Sequence, residues 1–277
     1  MLEDLILEAR RFGLEVHEDK TKFLWNGVGR GTAASNLELC GKHFEVLNGE
    51  ASTMYLGRKL SLRSLHETEL KNRMAKGWAK FAIYRDELTN SYYSLRQRMR
   101  LFVSVVQPSV LYGCVSWTMT KEREQLLRTT QRKMMRKVVG TKRIVVKDAQ
   151  GGSTTENYVD WVQRATRKAE EAMDKYGVPD WVGEACKRKF QWAGHVSRRD
   201  DGRWSGQILR WCPVGVRLQG RPVTRWSDAL NKFYDSVSAA LGEHIDWITL
   251  AADRDKWKQM EEAFVEFSTG GANFLIA

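Results

Sequence analysis

A stripe of arginines on one predicted helix is the clearest set of side chains that could bind a ligand. Arg128, Arg132 and Arg136 recur at every fourth position, so they share one face of a helix predicted from about 121 to 139. Like charges at this spacing cost about 0.2–0.5 kcal/mol per pair in an isolated helix. Phosphate groups would neutralise the stripe, whereas the alternative is a solvated surface helix. The stripe therefore favours contact with nucleic acid.

Three possible zinc ligands lack the spacing of a zinc site. Cys186, His195 and Cys212 are separated by eight and sixteen intervening residues, and no fourth ligand lies at short spacing to them. Structural zinc sites normally use tightly spaced pairs of ligands. We therefore predict no metal site.

The carboxylates also fail to form a catalytic set. Asp180, Glu184 and Lys187 resemble the acidic-plus-lysine set of metal-dependent nucleases, but they fall within two turns of one predicted helix. Acids at a helix start followed by basic residues are expected from the helix dipole alone. The Asp200-Asp201 pair lies in a polar, arginine-rich loop and not in an apolar strand, as two-metal chemistry would need. The residues predict binding and no complete active site.

The positive charge is concentrated in the middle of the chain. The 277 residues carry a net charge of +11, and residues 61–150 alone hold 19 basic and 7 acidic residues, for +12. Residues 1–60 sum to −1, residues 151–225 to +5 and residues 226–277 to −5. An excess this one-sided, in helices and not in a tail, favours a polyanion as partner.

The stretch 94–117 predicts a tightly packed helical hairpin with an apolar inside and a basic outside. Apolar residues recur at helical spacing on either side of Pro108. Proline lacks an amide hydrogen and pushes the preceding residue towards extended geometry, so we expect it to separate two arms. Gly113 would let the arms approach closely. Arg96, Arg98 and Arg100 fall largely off the apolar face and are expected on the basic outside.

Residues 1–62 predict a small β piece that carries one helix. Strands are expected near 14–17 and 43–47, and the Asn48-Gly49 pair between apolar runs indicates a hairpin turn. The chain begins inside the helix without a cap, so we expect a truncated start. This piece is too small to be a convincing domain by itself.

The fold class is predicted as mainly α, in three parts. Residues 1–62 form the β piece, residues 63–150 a basic helical domain, and residues 151–277 a helical domain rich in Trp and Arg. The best candidate for a linker is the Gly- and Ser-rich stretch 151–155. Eight of the 11 tryptophans follow residue 150, and most are expected in the core.

The composition places the protein inside the cell. No apolar run is long enough to span a bilayer, and the first residues lack the pattern of a signal peptide. The four cysteines are far apart, which favours reduced thiols over a disulfide framework. We expect a nuclear or cytoplasmic protein without membrane contact.

The chain resembles the reverse transcriptases of LINE-type (non-LTR) retrotransposons. Residues 13–22 look like the motif after the catalytic aspartates, and Tyr55-Leu56-Gly57 looks like the primer-grip hairpin that follows. Residues 100–117 and 131–134 resemble the thumb of these enzymes. The tail resembles the region downstream of the thumb, in Trp192 to His195, Gly220-Arg221-Pro222, Arg225-Trp226 and Asp253-Arg254. The resemblance covers nearly the whole chain.

The resemblance implies a polymerase that copies RNA into DNA at a nicked target, of which this chain would be the end of the palm, the thumb and a carboxy-terminal domain. The catalytic aspartates would be missing, so no cofactor is expected here, although the full-length enzyme would use Mg²⁺. Lys20 matches a lysine proposed to protonate the pyrophosphate leaving group. The alternative is a lysine in a turn that contacts only solvent. His17 departs from the family, which usually has asparagine there.

The resemblance also implies the partners, which are RNA and DNA in a template–primer, target DNA and the missing amino-terminal part of the polyprotein. The thumb would lay its basic helices on the nucleic-acid backbone and read shape and charge. The candidate contacts are Lys22, Arg96, Arg100, Arg128, Arg132, Arg136, Arg221 and Arg225, with Tyr55, Leu56 and Gly57 as the primer-grip-like residues.

Three hypotheses remain open at this stage. The first is a carboxy-terminal fragment of a reverse transcriptase, inactive alone. The second is a standalone helical nucleic-acid-binding protein derived from a retroelement, and the third is a non-functional pseudogene product. Replacing Arg128, Arg132 and Arg136 with Ala is expected to weaken binding to an RNA–DNA hybrid and to flatten its salt dependence.

Overall fold

The computed structural model describes residues 2–25, 36–39, 41–48, 51–147, 152–211 and 224–270. Most of them are helical, which confirms the predicted mainly-α class. The chain forms two compact units, Met1–Asn72 and Arg73–Ala277, and the division falls inside a long helix. The predicted division into three domains stays a prediction.

The first unit contains one helix and a small mixed sheet. Helix α1 (Leu2–Arg11) is followed by Gly13 at a φ of 69°, as expected for a left-handed residue after a helix. Strand β3 (Lys42–Leu47) is central, with β1 (Lys22–Leu24) parallel on one side and β2 (Asn36–Leu39) antiparallel on the other.

The hairpin turn was predicted at the Asn48-Gly49 pair, but the structure has a hairpin that turns at Leu56 and Gly57. Strand β3 pairs with β1 and β2 and not with the strand after the Asn48-Gly49 pair, of which Gly49 lies outside the described residues. Instead β4 (Thr53–Tyr55) pairs with β5 (Arg58–Leu60) around Leu56 and Gly57, which have φ values of 46° and 78°. Positive φ at both turn residues matches the right-handed twist of the strands. The predicted strand at 14–17 is absent, because these residues pair with no strand.

The predicted helical hairpin is instead one helical run followed by a tight turn. It consists of α4 (Leu95–Leu101), a π-helical segment (Phe102–Val106) and α5 (Gln107–Leu111). Pro108 does not break the run, because it lies in the first turn of α5, directly after the π-helical segment, where its missing amide hydrogen removes no bond of α5. Gly113 has a φ of 71° and ends the run, so its role is the turn and not the approach of two arms.

The remaining helices of the second unit pack around this run. Gln131, which is buried in α6, connects two other elements by donating to the carbonyl of Pro179 (2.8 Å) and accepting from the amide of Trp181 (3.0 Å). The ring of Trp181 in turn stacks on Phe102, with centroids 5.8 Å apart. The helices here are α2 (Leu65–Ile83), α3 (Arg85–Thr89), α6 (Lys121–Val139), α7 (Tyr158–Tyr176) and α8 (Trp181–Ser197).

An aromatic cluster forms the core near the end of the chain. Trp257 stacks on Phe190 at 4.1 Å between centroids, and its indole N–H donates to the Phe190 carbonyl (3.1 Å). Gly194 makes this approach feasible, because a Cβ there would overlap the indole. The elements here are α8 with α9 (Trp204–Arg210), α10 (Asp228–Leu241), α11 (Trp247–Leu250), α12 (Arg254–Gln259) and α13 (Glu261–Thr269).

The late tryptophans divide into core and surface groups. Only Trp181, Trp247 and Trp257 of the eight are buried, so the expectation that most lie in the core is wrong. The exposed ones are Trp192, Trp204 and Trp211, of which the last two are 76% and 66% exposed. Residues 153–155 of the predicted linker form a strand, β7 (Ser153–Thr155), which pairs antiparallel with β6 (Val145–Lys147). The polar composition of that stretch indicated a connection, but its threonines also suit a strand.

Candidate nucleic-acid interface

The arginine stripe of α6 lies against other helices of the second unit. The Nε atom of Arg132 is 2.6 Å from a carboxylate oxygen of Glu170, and Arg136 donates to the hydroxyl of Thr166 at 3.0 Å, both on α7. Arg128 lies 3.8 Å from the carboxylate of Asp180. All three side chains are half-buried. Partners within the chain therefore offset the repulsion that the spacing predicted.

Carboxylates also line the cavity beside this stripe. The cavity has a volume of about 580 Å³, and Arg128 and Arg132 share its wall with Glu170, Asp174 and Asp180. Three acids near two guanidinium groups make this cavity unfavourable for a phosphate. Binding of nucleic acid by the stripe stays a prediction.

Other cations of α6 point to solvent. The helix begins at Thr120, whose hydroxyl accepts from the amide of Arg123 at 3.4 Å, and it ends at Gly140 with a φ of 70°. Lys133 and Lys137 are exposed and have no ion-pair partner among the described residues. They lie one turn apart, so their charges add along one side of the helix.

Helix α4 adds two further exposed cations. Ser94 begins this helix with a capping box, and Arg98 donates to the carbonyl of Val138 at the end of α6. Burial lowers the pKa of Arg98. Arg96 and Arg100, which flank Arg98 in sequence, are exposed as expected and form no ion pair with any described residue. The expectation that Arg98 lies outside is therefore wrong, because its guanidinium bonds to the end of α6, while Arg96 and Arg100 face water.

We call Arg96, Arg100, Lys133 and Lys137 the exposed basic set. Its four cations lie in parts of the sequence that lack acids: none occurs in residues 88–121 or in residues 125–147. The two helices that carry the set, α4 and α6, are in contact with each other. The sequence pattern predicted the two arginines as contacts but not the two lysines.

The two candidate lysines of the first unit differ in their surroundings. Lys20 is exposed in the turn before β1. Lys22 lies on β1 and pairs with the carboxylate of Glu45 on β3, so an acid already neutralises it. Nothing in the described residues joins Lys20 to a carboxylate set that could bind a metal ion.

The primer-grip-like residues form the tip of the β4–β5 hairpin. The hairpin is therefore present where the resemblance implied one. Tyr55 and Leu56 are 61% and 73% exposed. A branched side chain with φ of 46° at Leu56 is unusual, because most residues with positive φ are Gly or Asn. The tip presents apolar side chains to solvent, and a contact with primer stays a prediction.

Arg221 lies outside the described residues, and Arg225 begins the segment before α10. Arg225 is exposed, and its backbone amide donates to the carboxylate of Asp228 at 2.7 Å. The next residue, Trp226, donates from its indole to the carbonyl of Val115 (2.7 Å). These bonds hold the guanidinium-bearing residue at the surface of the second unit.

A buried lysine lies beside Trp226 and was not predicted from the sequence. Lys189 on α8 is only 4% exposed, lies with Nζ 5.0 Å from the Trp226 ring centroid and contacts the carbonyl of Trp117 at 3.5 Å. Burial lowers its pKa to about 8. A lysine on the apolar side of an amphipathic helix was the available signal.

The candidate zinc ligands do not assemble. Among the described residues, no group of three or more His, Cys, Asp or Glu side chains could hold a metal ion. Cys186 is buried, as is Cys114, and burial raises the pKa of each thiol to about 11. Cys212 lies outside the described residues.

Comparison with known proteins gives a relative across most of the chain. The chain is 30% identical over 267 residues to a protein of Caenorhabditis elegans, F52C9.6, which is named an uncharacterized transposon-derived protein. The match spans 93% of this chain and 86% of the relative. No family model and no solved structure matches the chain. No described helix combines the length and apolar character needed to cross a membrane.

Proposed function

The chain belongs to the same family as the transposon-derived protein of Caenorhabditis elegans, and from this membership we propose that it derives from the reverse transcriptase of a LINE-type retrotransposon. The order of the motifs between residues 13 and 257 supports this origin. So does the β4–β5 hairpin, whose tip falls at Leu56 and Gly57. In that enzyme, this chain would form the end of the palm, the thumb and the region after the thumb.

The function that the geometry supports best is binding of a nucleic-acid backbone by the helical second unit. The carrying observation is the exposed basic set, four cations on two packed helices without a carboxylate partner among the described residues. Such cations bind phosphates by releasing counterions, without regard to sequence. Arg225 is exposed in the same unit and belongs to the proposal. A template–primer of RNA and DNA is the partner that the origin suggests.

The stripe of α6 takes a secondary place in this proposal. Arg128, Arg132 and Arg136 would have to leave Asp180, Glu170 and Thr166 to reach a phosphate. We propose that they mainly position α6 and raise the local potential. In the first unit, Lys20, Lys22 and the hairpin tip 55–57 would meet the primer strand.

We assign no polymerase step to these residues. Reverse transcription needs carboxylates around Mg²⁺ ions, and the described residues offer no cluster of three possible ligands. The 277 residues contain no Asp-Asp pair in an apolar strand. The residues present therefore do not fit the metal, and the proposal concerns binding alone.

The test is binding of the purified, folded chain to an RNA–DNA primer–template across a range of salt concentrations. We expect affinity to fall steeply with salt and to depend little on sequence. The variant R96Q/R100Q should weaken binding and reduce the slope of log K against log salt by about two, since each phosphate contact contributes roughly 0.9 in a duplex. The variant K133Q/K137Q should do the same.

A matched control removes two charges from another helix. Arg167 and Lys168 are exposed on α7, so R167Q/K168Q changes the net charge equally. We expect it to leave the slope nearly unchanged. If all three variants weakened binding equally, binding would depend on the net charge of the protein and not on the exposed basic set. Absence of binding by a folded chain would overturn the proposal.

A further inference from the structure

A groove in the second unit lies between α2 and α5. Its volume is about 450 Å³, within the range of sites that hold small ligands. Its wall on α2 carries Arg73, Lys76 and Lys80, and its other wall carries Pro108 and Tyr112 of the run that follows the π-helical segment. None of its lining residues is acidic.

The groove exists because the two helices touch along one line and diverge beside it. A Cβ at position 77 would overlap the side chain of Val110, so Gly77 lets α2 approach α5. Beside this contact the side chains of Ile83 and Pro108 give the groove an apolar surface.

The cations of the groove share one face of α2. Arg73, Lys76 and Lys80 follow one another at spacings of three and four. Lys76 and Lys80 are exposed, and neither forms an ion pair with a described residue. Two unpaired ammonium groups on one wall make an anion the complementary ligand.

An aromatic ring stands opposite these cations. Tyr112 is 49% exposed, and the guanidinium carbon of Arg73 lies 4.7 Å from its ring centroid. Arg73 itself is buried, so it holds the ring in place from below. The ring therefore lines the groove beside its apolar surface, with the guanidinium of Arg73 in contact with it.

We propose that this groove binds one unstacked nucleotide of a single strand, with the base against Tyr112 and Pro108 and the flanking phosphates at Lys76 and Lys80. The inference rests on the proposed nucleic-acid function and names a single-stranded element as an additional substrate. A duplex backbone would use the cations but not the apolar surface, because its bases are stacked inside. An aromatic ring beside basic side chains is the arrangement that single-strand binding proteins use.

The first experiment measures binding of a 12-nucleotide single-stranded RNA and of an abasic strand of equal length. K76Q/K80Q should weaken both and reduce the salt slope by about 1.4, because single strands contribute roughly 0.7 per contact. Y112L keeps the apolar bulk but removes the ring. It should weaken the RNA about tenfold and leave the abasic strand unchanged. R167Q/K168Q on α7 is the charge-matched control.

The outcomes separate this inference from the proposed function. If R96Q/R100Q weakens the primer–template while both groove variants bind single-stranded RNA as the parent does, the groove inference is wrong and the proposed function stands. If Y112L weakens both strands equally, the groove binds phosphate alone and holds no base. Stronger binding of a poly-glutamate peptide than of RNA would identify an acidic peptide as the occupant and overturn the inference. Circular dichroism of each variant verifies the fold.

Discussion

Lys189 is an ionisable side chain buried in a helical core. Its ammonium group lies beside the Trp226 ring and a single carbonyl, and no described carboxylate pairs with it. Desolvation therefore outweighs the favourable charge of Asp228, and the pKa falls from 10.5 to about 8. The hydrogen bond and the aromatic ring replace only part of the lost hydration. This lysine makes the stability of the second unit depend on pH.

The sign of that dependence follows from the two pKa values. Between pH 8 and pH 10.5 this lysine is protonated in the unfolded chain and neutral in the folded chain, so the contribution of Lys189 to stability should rise with pH. Below pH 8 both states are charged and the penalty is complete. The gain across this window is as much as about 3 kcal/mol. The buried thiols of Cys114 and Cys186 act in the opposite direction as pH rises, but they do so equally in the parent and in Lys189→Met. The difference in stability between the two proteins, measured by urea unfolding at pH 7, 8, 9 and 10, should therefore shift in favour of the parent as pH rises. Parallel curves for the two proteins would contradict the prediction.

Gly194 supports a second prediction about a single residue. Gly194→Ala would drive a methyl group into the indole of Trp257 and separate it from Phe190. We expect a loss of about 1–3 kcal/mol in the free energy of unfolding, measured by urea titration.

The same helix supplies the control for this substitution. Gly183 lies in the first turn of α8, and a Cβ there would meet Val265 at 3.6 Å, an ordinary contact. Gly183→Ala should therefore be neutral or stabilise by up to about 1 kcal/mol, because alanine favours helix. Equal losses from both substitutions would show that the indole contact is not the cause.

At the scale of elements, Gln131 connects α6 to the turn between α7 and α8. Its amide satisfies the carbonyl of Pro179 and the amide of Trp181 at once. Gln131→Leu would leave both backbone groups buried without a partner, at a cost of about 1–3 kcal/mol for each. Thermal and urea unfolding measure the loss. Gln125→Leu on the exposed side of α6 should change stability by less than about 0.5 kcal/mol.

Sequence patterns predicted the helices better than their junctions. Leu230, Phe233 and Val237 of α10 are all buried, because helical spacing alone places them on one face. Pro108 was expected to break a helix, but it lies in the first turn of α5, directly after a π-helical segment. That segment arises from packing of the whole unit, which local spacing does not report.

The sequence predicted only part of the candidate site, because local spacing does not report how helices pack against each other. Spacing placed Arg128, Arg132 and Arg136 on one face but gave no information about what covers that face. The structure covers it with α7 and with Asp180 at the start of α8. Arg96 and Arg100 were exposed as expected, since the stretch around them contains no acid that could pair with them.

At the scale of the whole molecule, charge and origin support the same interpretation. The +12 of residues 61–150 falls mostly in the second unit, where the exposed basic set and the groove lie. The relation to a transposon-derived protein agrees with the nucleic-acid partner that we propose. We therefore expect salt concentration to change binding by the parent chain much more than base sequence does.

The burial of Cys114 and Cys186 gives the second unit a built-in chemical reporter. Only the thiolate attacks an alkylating reagent, and a pKa of about 11 leaves almost none at neutral pH. Iodoacetamide should therefore modify these two positions only when the surrounding helices separate. The rate at which peptides containing them become labelled would measure local opening, helix by helix, in a protein that has not been denatured.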